Sequence, residues 1–129
     1  MPLMRIDMIK GRSKKEIRNI MDIAYEVASQ EFHLLPHDRF QIVTQHDADE
    51  MVIEDVGLGF ERTDKMLIFS LTSSPREQAD KQRFYARLVK ELHAHAGVAP
   101  TDVMINMTLN TKEDWSFGMG EAQFMNGKL

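Results

Sequence analysis

The chain is written twice, and that repeat limits its fold more than any other feature. Comparing residue i with residue i+64 lays "RIDMIKGR" at 5–12 on "FSLTSSPR" at 69–76, so Arg12 meets Arg76. It also lays "LPHDRFQIV" on "APTDVMINM", so Pro36 meets Pro100 and Asp38 meets Asp102. Between these stretches Ile20, Met21, Ala24 and Ala28 fall on Phe84, Tyr85, Leu88 and Leu92, the spacing of one apolar helix face. Each half therefore reads as strand, helix, strand: 3–9, 13–32 and 39–45, then 66–72, 75–95 and 103–109. Parallel strands joined by a helix form a right-handed crossover unit. Two such units predict a single α/β (α+β) domain over 1–129, with repeats at about 2–64 and 66–129. Its four-stranded mixed sheet would carry both helices on one face.

Local chemistry supports these limits. Ser13 with Glu16 and Ser74 with Glu77 both read as capping boxes, with Pro75 at the first helical position of the second helix. "EMVIEDVGLGF" at 50–60 reads as a short strand running into glycines, which predicts a hairpin between the repeats. "DWSFGMGEAQF" is a matching excursion after the second repeat. In the last strand Val103, Ile105, Met107 and Leu109 alternate with Met104, Asn106 and Thr108, so one set faces away from the helices. The chain has no third layer to cover that face. A partner subunit is expected there, in a cyclic oligomer.

Composition narrows the function. With no cysteine among 129 residues, a disulfide framework, a thiolate zinc site and a cysteine nucleophile are excluded, and a reducing cytoplasmic setting is expected. No apolar run has the length of a membrane span, and the N-terminus lacks a signal-peptide stretch. A net charge of −4 with scattered Lys and Arg offers no basic stripe for nucleic acid. The five histidines form neither a helical His-x-x-x-His nor a carboxylate-rich metal spacing, and no cofactor is called for. The ten methionines read as core packing.

The motifs "MPL…GRS", "HDRFQIVTQH", "MVIEDVGLGF", "SPRE" and "DWSFGMGEAQF", in this order over nearly the whole chain, resemble the tautomerase superfamily, and within it the malonate semialdehyde decarboxylase family. The resemblance implies a homotrimer of duplicated β-α-β subunits acting on small oxo acids through an N-terminal proline. Once Met1 is removed, Pro2 carries a free secondary amine with a reference pKa of about 8. Burial or a nearby cation lowers that value and a carboxylate raises it. The neutral amine is a general base and the protonated amine a general acid.

Asp38 matches the family's catalytic aspartate, placed to hydrogen-bond the prolinium or to orient a water; a turn residue in "PHD" is the competing reading. Arg76 matches a carboxylate-binding arginine at a helix N-terminus. A cation in a first turn is unfavourable by about a few tenths of a kcal/mol, which argues for a role beyond folding. The resembled decarboxylases carry a second arginine two positions earlier, where this chain has Ser74. Arg12 matches the substrate-binding arginine of smaller tautomerases, acting in its own or a neighbouring subunit; a solvated charge before a helix explains it equally. Trp115, Phe117, Phe124 and Leu129 match an apolar wall beside the proline. Such a wall suits loss of carbon dioxide, because a low-dielectric site disfavours the carboxylate while the departing molecule is neutral.

Three functions follow from these readings. The first is a lyase that decarboxylates a small 3-oxo acid such as malonate semialdehyde. The second is a keto-enol tautomerase of 2-oxo acids with side hydratase activity, kept in view by Ser74. The third is a non-enzymatic trimer whose proline stays blocked by Met1.

Overall fold

A computed structural model describes all of residues 1–129. The chain runs β1 (Pro2–Ile9), α1 (Lys14–Glu31), β2 (Phe40–His46), β3 (Leu67–Ser73), α2 (Gln78–Ala96) and β4 (Val103–Leu109). The sheet order is β2-β1-β3-β4, with β1∥β2 and β3∥β4 parallel and the central β1–β3 pair antiparallel. Two crossover units thus meet back to back, as the repeat predicts.

The core lies between the sheet and the helices. Met4, Ile6 and Met8 of β1 and Leu67, Phe69 and Leu71 of β3 pack with Ile20, Ala24 and Ala28 of α1 and Phe84, Leu88 and Leu92 of α2. The Phe32 and Phe84 rings join the two helices with centroids 4.9 Å apart. Burying each large apolar side chain contributes about 1.5–3 kcal/mol, so this double stripe holds the two halves together.

The repeat is not gapless. The helices keep the 64-residue offset, since Ile20, Ala24 and Ala28 occupy the places of Phe84, Leu88 and Leu92. In β1 and β3 that offset would match core-facing Met4, Ile6 and Met8 with Ile68, Ser70 and Thr72, which alternate with core-facing Leu67, Phe69 and Leu71. One residue of slip restores the faces, because a shift of one turns every strand side chain over. Arg12 and Arg76 remain equivalent, each one residue before its helix N-cap.

Two local expectations are corrected. Ser13 and Glu16 do form a reciprocal cap, with bonds of 3.1 and 3.0 Å. Ser74 and Glu77 do not: α2 begins at Gln78, Glu77 is its N-cap, and no side chain caps it. Pro75 disfavours helical geometry in the residue before it, and Arg76 ties this segment to Ser73 and Phe32 instead. The hairpin over 50–60 is also absent. There the Asp55 carboxylate accepts backbone bonds from Gly57 (3.2 Å), Gly59 (2.6 Å) and Phe60 (2.9 Å). The glycines have φ of +80° and +86°, which glycine adopts without steric penalty, so the carboxylate organises a loop and not a strand ladder.

The sheet face opposite the helices carries exposed strand residues. Ile42 of β2 is 42% and Met104 of β4 is 38% exposed, with Thr44, Asn106 and Thr108 beside them. No helix is long and apolar enough to cross a membrane.

Candidate active site

Strand pairing assembles the site from distant stretches. Pro2 pairs with Ser73, and Leu3 pairs with Phe40. The start of β1, the end of β3 and the turn before β2 therefore meet at one end of the sheet, beside the last turn of α1. Pro2 is buried at this junction. Asp38 is held by its backbone N–H, which donates to the Leu35 carbonyl at 3.1 Å. Its side chain is also buried, with Oδ2 3.0 Å from the amino nitrogen of Met1. The other oxygen, Oδ1, is buried without a partner. A buried carboxylate oxygen left unpaired is unfavourable, so this atom is available to a donor that the folded chain does not supply.

Burial pushes the amino terminus below its ordinary pKa of 8.0; the hydrogen bond to Asp38 opposes that shift, and Arg76 adds to it. Burial lowers the Arg76 guanidinium as well, without taking an arginine near neutrality. Arg76 donates from Nε to Ser73 Oγ at 3.0 Å and from Nη1 to the Phe32 carbonyl at 2.8 Å. Its guanidinium lies 5.2 Å from the centre of the Phe32 ring. It thus stands before the N-cap of α2, not in its first turn, and it is fixed by β3 and α1.

Two adjoining hollows open at this junction and share Met1, Leu35 and Asp38. One, of about 250 Å³, is mostly apolar and is lined by Pro36, Phe40, Phe117 and Leu129. The other, of about 150 Å³, carries Ser74, Arg76, His33, Lys112 and Phe124. A larger hollow of about 550 Å³ lies between α1 and α2, lined by polar residues such as Asn19, Asp22 and Glu91. Pro2 does not line it, and its Arg87 is already paired with Glu31 at 3.0 Å.

The C-terminal excursion builds the wall. Phe117 stacks between Phe40 and Trp115, with ring centroids 5.5 Å away on each side. Phe124 meets its edge at 5.5 Å. Gln123 clips the loop, accepting from Phe117 N–H at 2.9 Å and donating to the Gly118 carbonyl at 2.8 Å. Trp115 donates to Asn110 at 2.8 Å and so stands behind Phe117. Phe117 and Leu129 face the apolar hollow, and Phe124 the cationic one.

Arg12 does not join this group within the chain. It follows β1 at the opposite end from Pro2, donates from Nη2 to the Lys65 carbonyl at 2.7 Å, and leaves Nη1 buried without a partner. The structure adds Phe32, His33, Phe40, Ser73 and Lys112 to the site. Phe32 and Ser73 act through contacts with Arg76, which sits 44 and 3 residues away in sequence. No local pattern announces such a meeting.

The matching family model, described as tautomerase enzyme, covers residues 38–118, and the chain belongs to that family. It is 43% identical over the full length of both chains to the probable tautomerase YrdN of Bacillus subtilis. Among solved structures it is similar to malonate semialdehyde decarboxylase, with a TM-score of 0.96 and 36% identity over 98% of each chain. It is likewise similar to the FG41 malonate semialdehyde decarboxylase inhibited by 3-bromopropiolate, with a TM-score of 0.94 and 39% identity over 98% of this chain and 97% of that one. A fused 4-OT symmetric trimer shares the fold, with a TM-score of 0.76 and 14% identity over 95% of this chain and 98% of that one.

Proposed function

We propose that the protein is an N-terminal-proline lyase that decarboxylates a small 3-oxo acid of the malonate semialdehyde type. The observation that carries this reading is the amino nitrogen 3.0 Å from buried Asp38, in a hollow that also contains Arg76. Met1 lines both hollows. Its removal would enlarge them and leave the secondary amine of Pro2 at their junction.

The chemistry then follows from charge. Arg76 anchors the substrate carboxylate. Protonated Pro2 donates a hydrogen bond to the 3-carbonyl oxygen, and Asp38 favours the protonated amine. The C–C bond to the carboxylate breaks, its electron pair passes to the polarised carbonyl as an enolate, and carbon dioxide leaves. Protonation at carbon gives the aldehyde. The apolar wall of Phe117 and Leu129 disfavours the charged ground state more than the dispersed charge that follows. Proton NMR of malonate semialdehyde with processed protein tests this reading.

One observation favours the second reading, a tautomerase. Desolvation is the largest influence on the amino terminus and lowers its pKa, which raises the fraction of neutral amine able to act as a base. The sheet face bearing Ile42 and Met104 is proposed as the subunit interface of a homotrimer, the assembly of a protein that shares the fold. Light scattering should then give three times the 14.9 kDa of the chain; a monomer at micromolar concentration would refute it.

A further inference from the structure

The cationic hollow contains more charge than the fold uses. Of the three Arg76 nitrogens, Nε and Nη1 already donate to Ser73 and Phe32. Nη2 is the nitrogen that makes no hydrogen bond within the chain. A carboxylate has two oxygens, and both require donors once it is taken out of water. Besides Asp38, whose carboxylate is itself an anion, the hollow presents three polar side chains: Ser74, His33 and Lys112. Serine brings no charge. The Lys112 amino group forms no salt bridge or hydrogen bond with the chain. It lies 5.8 Å from the centre of the Phe124 ring, held over the hollow by a weak cation–π contact.

The backbone under this lysine is anchored. Thr111 donates to Asp114 from its backbone N–H at 2.7 Å and from its hydroxyl at 2.9 Å. That arrangement fixes the short 3-10 turn Lys112–Asp114 directly after β4. Trp115, the next residue, is tied back to Asn110. The turn is therefore a platform that directs a free cation toward the hollow across from Arg76.

We propose that Lys112 is the second cation of the carboxylate site, donating to the substrate oxygen that Arg76 Nη2 does not take. The proposal rests on the oxo-acid reading above and deepens it. Arg76 and Lys112 approach from different elements, the β3–α2 connection and the turn after β4, and so orient the carboxylate plane as well as neutralise it. The ligand class is a small monoanionic carboxylate or its dicarboxylate analogue, with its reactive end toward Asp38.

The test is binding, so that it stands apart from turnover. Isothermal titration of Met1-free protein with malonate, and with uncharged malonamide as control, is compared across wild type, Lys112→Gln, Lys112→Arg and Lys90→Gln, the last an exposed lysine of α2 outside the hollow. The expected result is a malonate affinity about tenfold weaker in Lys112→Gln, recovered in Lys112→Arg, with Lys90→Gln and malonamide binding unaffected. Unchanged malonate affinity in Lys112→Gln, or no malonate binding by wild type at millimolar concentration, would overturn the proposal. Lys112-dependent binding without any aldehyde production would leave the clamp standing and remove the decarboxylase reading instead.

Discussion

Asp38 and Asp102 occupy matching turns of the two repeats but are satisfied in different ways. Each backbone N–H closes the same turn, onto Leu35 at 3.1 Å and Ala99 at 2.9 Å. Asp102 then accepts from the backbone and hydroxyl of Thr63 at 2.7 and 2.6 Å, one bond to each oxygen. Asp38 has only the amino terminus on one oxygen and nothing on the other. One aspartate closes a structure, and the other keeps one carboxylate oxygen buried without a partner.

The pair of Asn variants should separate accordingly. Asp102→Asn is expected to lower stability by about 1–3 kcal/mol in denaturant, with kcat/KM nearly unchanged. Asp38→Asn is expected to lower kcat/KM by about a hundredfold or more with a smaller loss of stability. Equal activity losses in the two would remove the special role of Asp38.

The direction of the pH profile distinguishes the two chemistries. Burial lowers the amino-terminal pKa below 8.0, and the same surroundings would act on Pro2. If the protonated amine polarises the carbonyl, kcat/KM falls as pH rises through that lowered pKa. If the neutral amine is the base, kcat/KM rises through the same range. A descending limb below pH 8.0 supports the lyase, and an ascending one the tautomerase.

Arg76 should show a double effect. Arg76→Ala removes its bonds to Ser73 and Phe32 and is expected to cost about 1–3 kcal/mol of stability. It should also raise KM for carboxylate substrates about tenfold or more. Stability loss with unchanged KM would reduce Arg76 to a strut between β3 and α1.

The caps give a prediction about folding alone. Ser13→Ala should cost about 1 kcal/mol, because its hydroxyl accepts from Glu16. Ser74→Ala should cost nearly nothing, since it caps no helix. Matching losses would mean that α2 begins earlier in solution.

Periodicity made the strands, the helices and the duplication legible, because a buried face has to recur every two or 3.6 residues whatever surrounds it. The positions of Pro2, Asp38 and Arg76 were legible from motif order. The slip between β1 and β3 was not, since Arg12 and Arg76 still align in helix register while the strand faces invert. Ser74 was misread because a serine three residues before a glutamate describes a capping box only if the helix starts there, and Arg76 draws that segment to Phe32. Lys112 carried no signal, because its place in the hollow that holds Arg76 depends on how the turn after β4 folds.

The proposed lyase chemistry requires a free Pro2 amine beside Asp38. Proton NMR should follow malonate semialdehyde with untagged protein whose loss of Met1 is confirmed by intact mass, beside Pro2→Ala and a form that retains Met1. Acetaldehyde is expected from the processed wild type and none above background from the other two. No acetaldehyde from protein with a demonstrably free proline, or full turnover by Pro2→Ala, would contradict that chemistry.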